Sequence, residues 1–305
     1  MNRLRPCWDW TYEAGKELAA EWSKDRAGGM SAEIAFFALL GFFPAFVALA
    51  AALGSADALL GANTAADVET WLVDQMSAIF GGENSLEETT RDLFSGGNGG
   101  ALTLGALIAV YAASRGFTAV VRALDVAYDH EHLRGWLSTR LVGLGLTLVT
   151  ILVAAVVLVL VVVGPLLGSG AEIADDLGVS DVFGTWWTWL RWPLVFLVLV
   201  AWAATVYHIA PNHSSPWRSE LPGAFIAAIW WSLISGGFST YLSVASSGAN
   251  AIFGLLGGAI SLLFWLYLMA MGLLLGAEIN SLRAVRMGLD LNRSSRPGRL
   301  SKPDR

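Results

Sequence analysis

Residues 148–167 read "LVTILVAAVVLVLVVVGPLL", a run with no charge. No other stretch restricts the fold of this chain so tightly. At about 1.5 Å per residue, a helix of that length spans about 30 Å, the thickness of bilayer hydrocarbon. The rest of the chain repeats the message. It is 55% hydrophobic and only 14% charged, where soluble domains carry about 25% charged residues. A mean hydropathy of +0.57 leaves too little polar surface to face water on all sides, so the expected solvent is lipid. The 14 tryptophans suit a protein with two membrane–water boundaries.

Apolar runs of about 20 residues occur at Met30–Leu53, Ala101–Arg122, Leu141–Leu167, Trp186–Tyr207, Pro222–Ala245 and Phe253–Ser281. The expected fold is therefore all-α, a polytopic integral membrane bundle of about six transmembrane helices. The 19 lysines and arginines test the count. Arg3, Arg5, Lys16, Lys24 and Arg26 precede the first span, and Arg91 alone follows it. Arg115, Arg122, Arg134 and Arg140 surround the second-to-third turn, and the next loop has none. Arg218 lies in the fourth-to-fifth loop, none lies in the following one, and Arg283 opens a basic C-terminal segment. This alternation predicts N and C termini on the cytoplasmic side.

Residues 1–29 form one expected unit, a cytoplasmic interfacial helix with Trp8, Tyr12, Ala19 and Trp22 on one face. They contain no short apolar region, so no cleavable signal peptide is expected. Residues 30–281 form the six-span transmembrane domain. Its outer segment, 54–100, is acidic and contains the amphipathic "DVETWLVDQMSAIF". Residues 282–305 are an expected basic, disordered cytoplasmic tail. The single cysteine, Cys7, excludes an internal disulfide.

Polar residues inside the spans are the candidates for function. Arg115 and Arg122 are two helical turns apart and share a face. Arg115 falls about 20 Å below the outer boundary, where two readings stand. Its stem could snorkel to the headgroups, or its charge could serve a substrate path. For Arg122, at the interface, snorkelling is the simpler reading, with Asp125 within helical pairing range. Glu33 and Glu278, the latter with Asn280 close by, occupy the same cytoplasmic third and are the acids within reach of Arg115. Such a pair could be helix glue or part of a path. Pro44 removes a backbone hydrogen bond inside the first span and predicts a kink. Gly254 with Gly258, Gly272 with Gly276 and Ser232 with Gly236 have the spacing of close helix contacts.

Catalytic patterns are missing. His130, His132, His208 and His213 are expected as solvated loop residues, and no HExxH or Cys/His spacing accompanies them. No GxSxG, P-loop or dinucleotide fingerprint occurs. The basic tail lacks the aromatics a nucleic-acid surface would want. The expectation is a protein that is not an enzyme, with no catalytic, metal or cofactor site, no nucleic-acid partner, and the lipid bilayer as its surroundings.

Several stretches in order resemble the YihY / virulence factor BrkB family of bacterial inner-membrane proteins, once labelled ribonuclease BN. Ala32, Ala35 and Pro44 are similar to the family's Ala-rich opening and Pro. Ser114, Arg115, Gly116, Ala123, Leu124 and Tyr128 resemble its Ser-Arg-Gly and Ala-Leu…Tyr elements. "YHIAP" (Tyr207–Pro211) and "LPGAFIAAIWWSLISGGFSTY" (Leu221–Tyr241) resemble its Tyr…Pro turn and Pro-Gly-Ala…Trp…Tyr span. Phe253–Asn280 is similar to its last span, ending in Gly-Ala-Glu. Phe36, Phe37 and Phe253 replace usual tyrosines, and Asp125 a usual Asn. The resemblance implies a six-span protein of the bacterial inner membrane, with export, transport or envelope maintenance among the functions attached to it. The leading expectation is transport or export of a lipid or other amphiphile, with Glu33, Arg115, Arg122, Asp125 and Glu278 lining or gating the cytoplasmic half. The alternative is a scaffold that moves nothing and organises envelope proteins through the acidic outer segment.

Overall fold

A computed structural model describes residues 7–54, 70, 74, 79, 99–128, 135–158, 160–161, 180–212, 215–245 and 251–287. Most of the expected outer amphipathic helix, the loop histidines 130, 132 and 213, and the tail from 288 onward lie outside the described residues. The described residues form seven α-helices: α1 Cys7–Lys24, α2 Ala27–Gly54, α3 Gly99–Ala127, α4 Trp136–Leu158, α5 Ser180–Ile209, α6 Leu221–Ala245 and α7 Ala251–Arg286. A 3-10 turn, Trp217–Glu220, leads into α6.

Among the described residues, four segments are long and apolar enough to cross a bilayer: Trp136–Leu158, Trp189–Ile209, Trp217–Ser243 and Gly257–Arg286. The chain is a polytopic helical membrane protein. Helices α2 and α3 cover the first two expected spans, and the described apolar stretch of α2, Ala27–Phe42, is shorter than the others. Helix α2 stays helical beyond Pro44 to Gly54.

Each helix from α2 to α7 packs on its sequence neighbour, and α7 closes the ring against α2 and also touches α3. The core is unusually small in its side chains: Ala119, Ala123, Ala203, Ala204, Ala224, Ala227, Ala228 and Ala277 are all buried. In lipid no hydrophobic force drives helices together, so association rests on close backbone approach and interhelical hydrogen bonds. Both are present along α7. Tyr207 of α5 donates to the Leu273 carbonyl at 2.7 Å. Trp230 and Trp231 of α6 donate to the Leu268 and Met269 carbonyls, each at 2.8 Å. Three aromatic donors thus stitch two helices to a third.

Tyr207→Phe removes one of these stitches without a cavity. The Leu273 carbonyl keeps its intrahelical position, so the expected cost is about 1 kcal/mol. A modest fall in the thermal midpoint of the detergent-purified protein is the readout.

The small-residue pairs do not all serve contacts. Gly272 lies against Trp230, and Gly276 against Tyr207 and Gly223. Gly236 has nothing within 4 Å of the position a Cβ would take, and Ser232 is exposed with its hydroxyl bonded to the Ala228 carbonyl. The expected contact at Ser232 and Gly236 is therefore absent. That part of α6 faces outward, because Trp230 and Trp231 on the preceding turn take the α7 side.

Helix α1 rests on α2 and α7. Trp22 packs against the core, while Glu17 pairs with Arg286 at the end of α7. The turn between α1 and α2 places Arg26 at a positive φ of 54°.

Candidate functional site

The register of α3 builds the main site. Tyr111, Arg115, Thr118 and Arg122 follow i, i+4, i+7 and i+11, one stripe of a helix. This stripe, with Asp125 and Val126, forms the back of a cavity of about 910 Å³. Glu33 and Phe37 of α2 form one wall, and Trp136, Thr139 and Arg140 of α4 the other. Arg115 and Arg122 are exposed to it. The Arg115 guanidinium lies over the Phe37 ring at 5.5 Å, and that of Arg140 over the Tyr111 ring at 5.1 Å. Ring faces attract such cations by about 0.5–2 kcal/mol, more as water is excluded. These contacts hold the guanidiniums in place beside the α3 stripe.

The hydroxyls nearby are turned inward. Ser114, fully buried, donates to the Tyr111 carbonyl at 2.7 Å, and Thr118 donates to the Ser114 carbonyl at 2.8 Å. The cavity's polarity therefore comes from its arginines and two acids. Of these acids, Asp125 is 3% exposed and accepts a hydrogen bond from the Asn212 backbone N–H at 3.0 Å. That bond ties the end of α3 to the turn after α5.

The expected site residues divide into groups. Glu33, Arg115, Arg122 and Asp125 share the cavity, and Ser114 is packed behind it. Glu278 does not line it and lies buried in α7 at 1% exposure. Tyr207 is buried in the α5–α7 contact. Tyr241 is exposed on α6, its hydroxyl 3.3 Å from that of Ser261. The surroundings of the Pro44 side chain lie outside the described residues.

Asn280 belongs to a second, buried cluster that sequence reasoning missed. Its centre is Glu220, at the end of the 3-10 turn and 2% exposed. The Tyr128 hydroxyl donates to Glu220 Oε2 at 2.5 Å, and Asn280 Nδ2 donates to the same oxygen at 3.0 Å. Ser215 donates to Oε1, joined by Ser219 at 3.4 Å. Asn280 also accepts from the Gly223 N–H at 2.8 Å and donates to the Glu220 carbonyl at 3.0 Å. One carboxylate thus joins the end of α3, the α5–α6 connection and α7. Burial, and then the charge of Glu220, push the Tyr128 phenol well above its ordinary value, so it remains a donor at neutral pH.

A loop glutamate such as that in "RSELPG" reads as solvated, and nothing local marks Glu220 as buried. Arg140 and Tyr111 were also missed as site residues. Arg140 sits where an interfacial cation is ordinary, and Tyr111 looks like any lipid-facing aromatic. Among the described residues, no group of three or more His, Cys, Asp or Glu side chains is placed to hold a metal ion.

A helical ring with a cation-lined cavity at one end of its spans defines a multi-pass membrane protein with an internal polar site. Residues 18–299 match the Virulence factor BrkB family, and the chain belongs to it. It is 35% identical over 271 residues to YfkH of Bacillus subtilis (strain 168), a protein named as ribonuclease-like. That alignment covers 88% of this chain and 94% of YfkH. A UPF0761 membrane protein of Vibrio cholerae serotype O1 is 31% identical over 110 residues, 36% of this chain and 35% of that protein. A UPF0761 membrane protein of Stenotrophomonas maltophilia (strain K279a) is 33% identical over 76 residues, 25% of this chain and 18% of that protein. No solved structure matches the chain.

Proposed function

We propose that the protein moves a lipid or other amphiphile across the bacterial cell membrane, with six crossings and both termini cytoplasmic. The observation that carries the reading is the shared cavity. Residues from three helices, Glu33 of α2, Arg115, Arg122 and Asp125 of α3 and Arg140 of α4, line one space of about 910 Å³. Charges in a span are costly and are kept where they meet a partner or a path.

The proposed role draws on positioning and charge rather than on bond-making chemistry. Asp125 is held by the Asn212 N–H, and Glu33 sits in a wall facing three guanidiniums. Both acids are read as groups that position charge in the cavity. The reading therefore assigns no enzymatic step and no cofactor, despite the ribonuclease-like name of YfkH.

Arg115→Ala is the direct test. In proteoliposomes it is expected to abolish transbilayer movement of a labelled amphiphile while the protein remains monodisperse. Undiminished movement in the variant, or none in the unaltered protein with any amphiphile, overturns the reading.

A further inference from the structure

Arg140 makes the cavity more specific than a polar passage. Gly143 of α4 packs on Ser114 and Thr118 of α3, which fixes the register of the two antiparallel helices. Arg140 precedes Gly143 and lies four residues from the start of α4 at Trp136. Its guanidinium nonetheless reaches the ring of Tyr111, eleven residues of α3 away from Arg122 at the expected interface. Eleven residues of helix are about 16 Å. Snorkelling would send this long side chain the other way, toward the nearby interface. Arg140 is directed instead along α3, away from Arg122 and onto the Tyr111 ring.

The result is a file of three guanidiniums along one stripe of α3: Arg122 nearest the interface, then Arg115, then Arg140 over Tyr111. Among the described residues, three cations and two carboxylates line this space, and one of those acids, Asp125, accepts a hydrogen bond from a backbone N–H. The local field favours an anion. The cavity also has an apolar margin. Phe36 and Leu40 of α2, and Trp136, Leu137 and Leu141 of α4, are exposed on either side, and Tyr111 is itself 56% exposed. A ligand here would place its charge among the arginines and its chains against these exposed side chains.

We infer that Arg115, Arg122 and Arg140 form a binding site for the phosphate headgroup of an anionic amphiphile whose acyl chains stay outside, between α2 and α4. Planar guanidiniums suit phosphate oxygens because they offer paired N–H donors. Their spacing along α3 provides successive contacts for one headgroup at different depths. The inference rests on the same cavity as the transport reading and narrows its cargo.

Binding and movement are separable by experiment. The full-length protein in a non-ionic detergent is titrated with chain-labelled phosphatidylglycerol, then with phosphatidylcholine, with inorganic phosphate as competitor. Phosphatidylglycerol is expected to bind at least about tenfold more tightly than phosphatidylcholine. Arg115→Ala combined with Arg140→Ala is expected to cost at least about tenfold in affinity, the loss of a charge-assisted contact. Arg115→Lys with Arg140→Lys keeps the charge and is expected to fall between. Arg191→Ala alters a cation that stacks on Trp192 and is absent from the cavity lining, so it is expected to bind as the unaltered protein does. Equal binding of the two lipids, or full binding by the double alanine variant, overturns the proposal. Inorganic phosphate that binds the arginines and displaces the lipid at equal concentration overturns the amphiphile assignment. Arginine-dependent binding without movement in proteoliposomes would sink the transport reading and leave the site standing.

Discussion

Gly223→Ala is expected to prevent accumulation of folded protein. A Cβ at this position would lie 2.1 Å from the Gly276 carbonyl oxygen and 2.6 Å from the Asn280 side chain. The first of these neighbours is helix backbone and cannot swing aside. The second cannot move without releasing its bonds to Gly223 N–H and Glu220. Ordinary overpacking costs about 1–3 kcal/mol. Here the added carbon would force α6 away from α7 and break the polar cluster beside them, so the cost is expected to exceed about 3 kcal/mol. The check is yield and size-exclusion behaviour in detergent. Gly237→Ala, on the same helix with nothing within 4 Å of the added carbon, is expected to behave as the parent does. Equal yields of the two variants would show that the α6–α7 crossing is not the tight backbone contact described.

Glu220→Ala is the second large effect. It leaves the Tyr128 hydroxyl, Asn280 Nδ2 and the Ser215 hydroxyl without the carboxylate they meet in the fold. Loss of such a partner costs a buried group up to about 1–3 kcal/mol, although Asn280 Nδ2 keeps its bond to the Glu220 carbonyl. With three affected, the expected destabilisation is about 3 kcal/mol or more, read as a large drop in thermal midpoint. Glu220→Gln keeps one acceptor oxygen and is expected to lose less. Tyr128→Phe in the Glu220→Ala background removes one stranded donor, so the double variant should be less impaired than the two single losses added together. Strict additivity would mean that Tyr128 and Glu220 are not coupled. Because the cluster joins the end of α3 to α7, its loss is also expected to loosen the floor of the arginine cavity.

What could be read from the residues alone follows from lipid as a solvent. A charge-free run at 148–167 and further long apolar runs allow only helices, since each must satisfy its own backbone hydrogen bonds where no water is available. The polytopic helical class and the family both followed from linear patterns in "SRGFTAVVRALDVAY", "YHIAP" and "LLGAEIN". The seven-residue step from Arg115 to Arg122 placed both on one face of α3, because helix periodicity is a local property.

Partnership between helices was not local, and only the tertiary structure decided it. Arg115 and Glu278 look equally intramembrane in the sequence, yet one lines the cavity and the other is packed in α7. The rotation of each helix about its axis depends on which small residues meet, as at Gly223 and Gly276. Glu220 reads as a solvated loop acid, and becomes buried because Tyr128 and Asn280 arrive from 92 and 60 residues away. Arg140 reads as an interfacial cation and is drawn inward by a ring on the neighbouring helix. Composition and periodicity fix how each helix meets its solvent. How helices meet one another is set by side-chain shape and hydrogen-bond geometry, and these have no one-dimensional signature.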